Sequence, residues 1–134
     1  MKVFVYGTLK KGFAGNYILT NSYFCGNCST KKMYKLYTNG MYPCMIPSGE
    51  NGISISGELY EIDMKTLQSL NIYEGVDSGL FALSVVEIDK DSCDVMDENI
   101  DSELVFGYIY LGSTSHMQEI KRWSKTIHDK YGKD

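Results

Sequence analysis

Apolar and polar positions follow two rhythms along this chain, and the switches between them mark its elements. Val3, Phe4, Val5 and Tyr6 form an unbroken β-branched and aromatic run, the composition of a buried strand. The run stops at Gly7, and Gly7 to Gly12 then reads as a turn delivered to one end of a sheet. Asn16 to Leu19 suits a short helical turn. The polar segment from Gly26 to Lys32 begins a strand that the alternation of Met33 to Tyr37 continues. Asn39-Gly40 is a turn signal. Met41 to Pro47 is apolar but carries both prolines, so it is an edge or a loop pressed on the core. Ile53, Ile55 and Leu59 share one face at period two and predict a half-buried strand, with Glu58 and Glu61 exposed beside it.

The period then changes. Asp63 is an N-cap, and Met64, Leu67 and Leu70 with Ile72 or Tyr73 make one helical face that Gly75 ends. Phe81 to Ile88 and Leu104 to Leu111 read as strands. The segment between them, Asp89 to Glu103, is rich in acids and predicts a solvated hairpin loop. Met117, Ile120, Trp123, Ile127 and Tyr131 recur at three and four, which predicts an amphipathic helix over about 115–131 docked on the sheet. Strands outnumber helices and do not alternate with them as βαβ units. The fold class is therefore α+β with a curled or barrel-like mixed sheet. A length of 134 residues fits one domain over 1–134, with a core over about 1–111.

Composition narrows the partners. The net charge is −4 with no basic stripe, which argues against a nucleic-acid partner. The apolar runs are too short for a membrane span or a signal peptide, so the expected location is cytoplasmic and no membrane partner is expected. Of Cys25, Cys28, Cys44 and Cys93, only the first two have a suggestive spacing. They lack the second pair of a structural zinc site and sit among turn formers, so four reduced thiols are expected.

Candidate chemistry is sparse. Gly7 and Gly12 have the glycine spacing of a P-loop, but Phe13 and Ala14 stand where Lys and Ser or Thr belong. His116 and His128 have no metal-like spacing, and no base is nominated for a Ser or Cys nucleophile. Glu74 remains. It follows Tyr73 at a helix C-terminus, where the dipole and aromatic packing both raise a carboxyl pKa. The amides of Gly7, Thr8 and Leu9 lie past the strand end, and an anion or a carbonyl oxygen is one kind of partner for them.

Val3 to Gly12 with Tyr6-Gly7-Thr8-Leu9, then Asn16, Tyr42-Pro43, Gly57 to Ile62, Leu70 and Tyr73-Glu74-Gly75 together resemble the γ-glutamylcyclotransferase-like family, which includes γ-glutamylamine cyclotransferases and AIG2-like proteins. The resemblance implies a small mixed β-barrel flanked by helices, a substrate cradle of Tyr6, Gly7, Thr8 and Leu9, and Glu74 as the catalytic carboxylate. It implies a small γ-glutamyl substrate whose α-amine attacks its own γ-carbonyl, giving 5-oxoproline and a freed amine or amino acid. No metal or cofactor is needed, because the nucleophile belongs to the substrate. Phe81 and Leu83 stand where family members often carry Tyr-x-Arg, so a hydroxyl and a cation are absent there. A small-molecule-binding protein on the same fold, without catalysis or with a different one, is the alternative. Sequence leaves the oligomeric state open.

Overall fold

The computed structural model describes residues 1–94 and 103–125. It opens with β1 (Lys2–Val5), followed by a 3-10 turn over Ala14–Leu19, β2 (Tyr23–Thr30), β3 (Tyr34–Thr38), β4 (Pro43–Pro47) and β5 (Ser56–Glu61). The helix α1 (Met64–Tyr73), β6 (Phe81–Asp89), a short 3-10 turn over Lys90–Ser92, β7 (Leu104–Tyr110) and β8 (Gln118–Ile120) complete it. Five strands close a barrel in the order β1-β5-β2-β6-β7, and β4-β3-β8 form a second sheet. The barrel is mixed: β1 runs antiparallel to β5 and parallel to β7.

The opening run is apolar throughout because β1 is buried on both faces. Phe4 and Tyr6 point into one core with Leu36, Met45, Leu59 and Val86, while Val3 and Val5 enter another with Leu19, Leu67 and Leu70. The helix α1 covers that second core. Asp63 caps it as expected, its Oδ1 accepting from the Thr66 amide at 2.8 Å. Gly75 ends it with a φ of +65°, the left-handed conformation that glycine adopts without strain. Only Leu67 and Leu70 of the expected helical face are buried; Met64 and Ile72 are exposed.

Several expectations need correction. The stretch from Gly26 to Tyr37 is not one strand: β2 ends at Thr30 in the barrel, and β3 begins at Tyr34 in the other sheet. The tail does not start a helix at 115. Gln118–Ile120 is a strand that pairs with β3, Ile120 opposite Leu36. A spacing of three between Met117, Ile120 and Trp123 reads as helical, but the free edge of β3 supplies ladder partners that periodicity cannot register. Residues 126–131 of that predicted helix lie outside the described residues, as does 95–102 of the acidic loop. Met41 to Pro47 fares better, since β4 is the edge strand its prolines require.

Cys25, Cys28 and Cys44 are buried thiols, Cys93 is half-buried, and none is in a disulfide. The Cys28 thiol meets Cys93, and burial pushes its pKa up. Among the described residues no group of His, Cys, Asp or Glu could hold a metal ion, and no helix is long and apolar enough to cross a membrane.

Candidate active site

Where β1 ends, the chain turns through Gly7 to Leu9 against Pro43, the first residue of β4. A Cβ on Gly7 would come within 2.8 Å of Pro43 Cδ and nearer still to Cγ, so only glycine permits this approach. From the other side arrives the C-terminus of α1, whose cap residue is Glu74, its amide donating to Leu70 O. Tyr6, Gly7, Thr8, Leu9 and Glu74 line one recess of about 30 Å³, together with Pro43, Phe81 and Tyr108. Thr8, Tyr42, Glu74 and Phe81 also line a vestibule of about 230 Å³ that Met41, Tyr73 and Leu80 complete. The residues singled out in the sequence, distant along the chain, are thus brought to one place. None of the lining residues is a cation.

The electrostatics follow from that composition. Glu74 is half-buried, and loss of water lifts its carboxyl to about 7. Burial and the Glu74 charge hold Cys44 protonated, its pKa pushed up to about 12. Both causes also raise Tyr6 and Tyr108. A half-buried carboxyl thus sits among neutral hydroxyl and thiol groups, with no cation among the described residues that line its recess.

The cradle's own hydrogen bonds are informative. Gly7 O accepts from the Lys10 amide at 3.1 Å, Thr8 O from the Gly15 amide at 2.9 Å, and Leu9 O from Asn16 Nδ2 at 2.8 Å. Peptide planarity sets the amides of Thr8 and Leu9 opposite to the carbonyls of Gly7 and Thr8. No protein group among the described residues accepts from the Gly7, Thr8 or Leu9 amides. Tyr73 Oη donates to Thr8 Oγ1 at 2.9 Å and ties the end of α1 to the turn.

Sequence reasoning missed what holds these parts together. Tyr6 was placed as a cradle residue, yet its hydroxyl is a brace. It donates to Tyr108 O at 2.7 Å and accepts from the Met45 amide at 3.2 Å, joining β7 of the barrel to β4 of the second sheet. Tyr6→Phe keeps the ring but leaves a buried carbonyl and amide without that partner, at a cost of about 2 kcal/mol. Urea denaturation should show that loss, and an unchanged midpoint would refute the bracing role. The other omission is Glu58. Expected to be exposed, it is buried, because the loop after the cradle and the Ala14–Leu19 turn fold over its face of β5.

Residues 3–125 match the family model described as gamma-glutamyl cyclotransferase, AIG2-like. A Vibrio cholerae protein, whose name assigns γ-glutamylcyclotransferase only provisionally, is 42% identical over 74 residues, 55% of this chain and 62% of that protein. The Escherichia coli K12 protein YtfP, named a γ-glutamylcyclotransferase family protein, is 38% identical over 71 residues, 53% of this chain and 59% of YtfP. The matched stretch thus spans about three fifths of these curated relatives. An AIG2-like protein from Mus musculus has a similar fold, with a TM-score of 0.68 at 20% identity over 92% of this chain and 87% of that one.

Proposed function

Because the chain belongs to the gamma-glutamyl cyclotransferase, AIG2-like family, we propose that it releases 5-oxoproline and a free amine or amino acid from a small γ-glutamyl compound, with Glu74 as general acid and base. One observation carries the reading: Glu74 lines the same recess as Gly7, Thr8 and Leu9, whose amides have no acceptor among the described residues. A carboxyl near 7 is matched to proton transfer at neutral pH.

The substrate's α-nitrogen arrives as an ammonium. Glu74, as carboxylate, takes a proton from it, and the freed amine attacks the γ-carbonyl carbon. A C–N bond forms and closes the five-membered ring, and the tetrahedral centre places negative charge on the former carbonyl oxygen. The turn amides supply donors for such an oxygen or for the substrate's own carboxylate. The bond to the leaving nitrogen then breaks. Two protons in all leave the attacking nitrogen and two reach the leaving one, with Glu74 carrying them in succession. The walls contribute by holding the γ-glutamyl chain folded, which removes most of the entropic barrier to closure. Tyr42, Met41, Leu80 and Phe81 around the vestibule offer the leaving group an uncharged, largely apolar surface.

The test is 5-oxoproline release from a panel of γ-glutamyl amines and peptides. Release that depends on Glu74 supports the assignment. Silence across the panel, with Glu74→Gln indistinguishable from wild type, would leave the chain a binding protein on this fold. The pH profile is a second check. The base form of Glu74 is needed, so kcat/KM is expected to fall about tenfold per unit below pH 7. It should level above pH 7 until the substrate ammonium itself titrates. A limb centred near the ordinary carboxylate value would remove Glu74 as the base.

A further inference from the structure

Glu58 takes no part in that chemistry, yet it is a carboxyl only 9% exposed in the wall of the barrel. A buried carboxyl is costly unless satisfied, so what satisfies it deserves an account. Glu58 and Tyr60 are two apart on β5 and therefore share a face. Glu58 Oε1 accepts from Tyr60 Oη at 2.9 Å and from the Lys11 amide at 2.9 Å. Tyr60 Oη in turn accepts from Asn16 Nδ2 at 3.2 Å, and the same nitrogen donates to Leu9 O at 2.8 Å. Burial pushes the Tyr60 hydroxyl up to about 12, so it stays a donor. The Lys11 ammonium stands 3.4 Å from the Phe24 ring centroid, and that ring meets Tyr60 edge-on.

The network thus grips both sides of one short segment. It takes the Leu9 carbonyl through Asn16 and the Lys11 amide directly. The Leu9 carbonyl belongs to the Leu9–Lys10 peptide, whose amide closes the turn onto Gly7 O, and the Lys11 amide belongs to the peptide that follows. Loosening Leu9 O leaves that peptide held only through the Lys10 amide, and the Gly7–Thr8 and Thr8–Leu9 peptides joined to it lose a fixed end. Glu58 faces away from the recess: it lines a separate cleft of about 240 Å³ with Lys10, Asn27 and Asp94. Among the described residues its hydrogen bonds lead to the site through the turn.

We propose that Glu58, acting through Tyr60 and Asn16, is a positioning residue that holds the Gly7-to-Leu9 amides in their ligand-binding orientation. The role in turnover rests on the cyclotransferase reading above; the hold on the turn does not.

Tyr60→Phe is the informative variant, because it keeps the ring packed and removes only the relay oxygen. It should lower kcat/KM at least tenfold while the acid limb of the pH profile stays where it was, since Glu74 is untouched. Glu58→Gln keeps an acceptor for both donors and should stay within about threefold of wild type. Glu58→Met, similar in length with no acceptor, should fall as far as Tyr60→Phe or further. Combining Glu58→Met with Tyr60→Phe should cost no more than Glu58→Met alone, as expected of one connected unit. Amide hydrogen exchange at Lys11 gives a readout without turnover: it should accelerate at least tenfold in Tyr60→Phe and Glu58→Met. Unchanged exchange at Lys11 in both variants overturns the proposal. So does accelerated exchange with unchanged kcat/KM, or losses that simply add in the double variant. If wild type releases no 5-oxoproline from any γ-glutamyl compound, the cyclotransferase reading fails, and the hold on the turn is decided by the exchange rates alone.

Discussion

Glu74→Gln is expected to slow 5-oxoproline release about a thousandfold, within the range by which a positioned acid–base group accelerates proton transfer, and at alkaline pH to yield a more stable protein. Both effects come from one environment. Gln preserves the shape of the side chain at the end of α1 but cannot carry a proton, so both nitrogens of the reaction lose their proton carrier. The stability effect has the opposite sign. Burial holds the folded-state carboxyl at about 7 against an ordinary 4.5, so between those values the folded protein binds more protons than the unfolded chain. Stability of the wild type therefore falls as pH rises from about 4.5 to about 7, by about 3 kcal/mol at most for such a shift. Gln does not titrate and escapes that loss. The two proteins should differ little at pH 4, and the variant should be the more stable by about 2–3 kcal/mol at pH 8. Chemical denaturation at both pH values measures this. Parallel curves would mean that Glu74 is not held in a water-poor recess, and the base assignment would lose its physical ground.

Gly57→Ala is expected to destabilise the barrel by about 3 kcal/mol. Gly57 lies in β5, on the face that carries Leu59 into the barrel core. A Cβ there would stand 2.5 Å from Phe4 Cζ and closer still to the Val5 carbonyl oxygen. A rotamer change could relieve the first contact. The second is with the backbone of the paired strand, so relief requires β1 and β5 to move apart. Those strands pair Phe4 with Leu59 and Val5 with Glu58, directly before the cradle. Activity should therefore fall together with stability, unlike in Glu74→Gln. A urea midpoint for Gly57→Ala corresponding to a loss under about 1 kcal/mol would mean that the strands adapt more readily than their spacing suggests.

These two substitutions mark different kinds of legibility. The helix ending at Tyr73-Glu74-Gly75 could be read locally: Asp63 caps it, Leu67 and Leu70 set its buried side, and Gly75 takes the left-handed turn. The strands at Phe81–Asp89 and Leu104–Tyr110 were equally plain from β-branched and aromatic content. The tail was not. The spacing of Met117, Ile120 and Trp123 satisfied a helical template, while the structure uses Ile120 in a strand against Leu36 and buries Trp123 in the barrel core, its carbonyl accepting from Lys10 Nζ at 2.6 Å. Glu58 was misjudged for a related reason. A carboxyl on a strand reads as solvated until a loop folds over it, and that loop comes from residues 9 to 16.

By itself, then, the order of residues along the chain determined the elements whose hydrogen bonds and capping are local, and it carried the two motifs, Tyr6 to Leu9 and Tyr73 to Gly75, that point to a family. Local sequence suffices there because φ, ψ and side-chain period are set within a few residues. Tertiary structure decided everything that depends on distance across the chain. It closed five strands into a barrel, laid Gln118–Ile120 on the edge of β3 and brought Glu74 into one recess with the turn that follows β1. It also set the carboxyl near 7, because a pKa responds to the water that neighbours remove, and those neighbours come from four separate stretches of sequence.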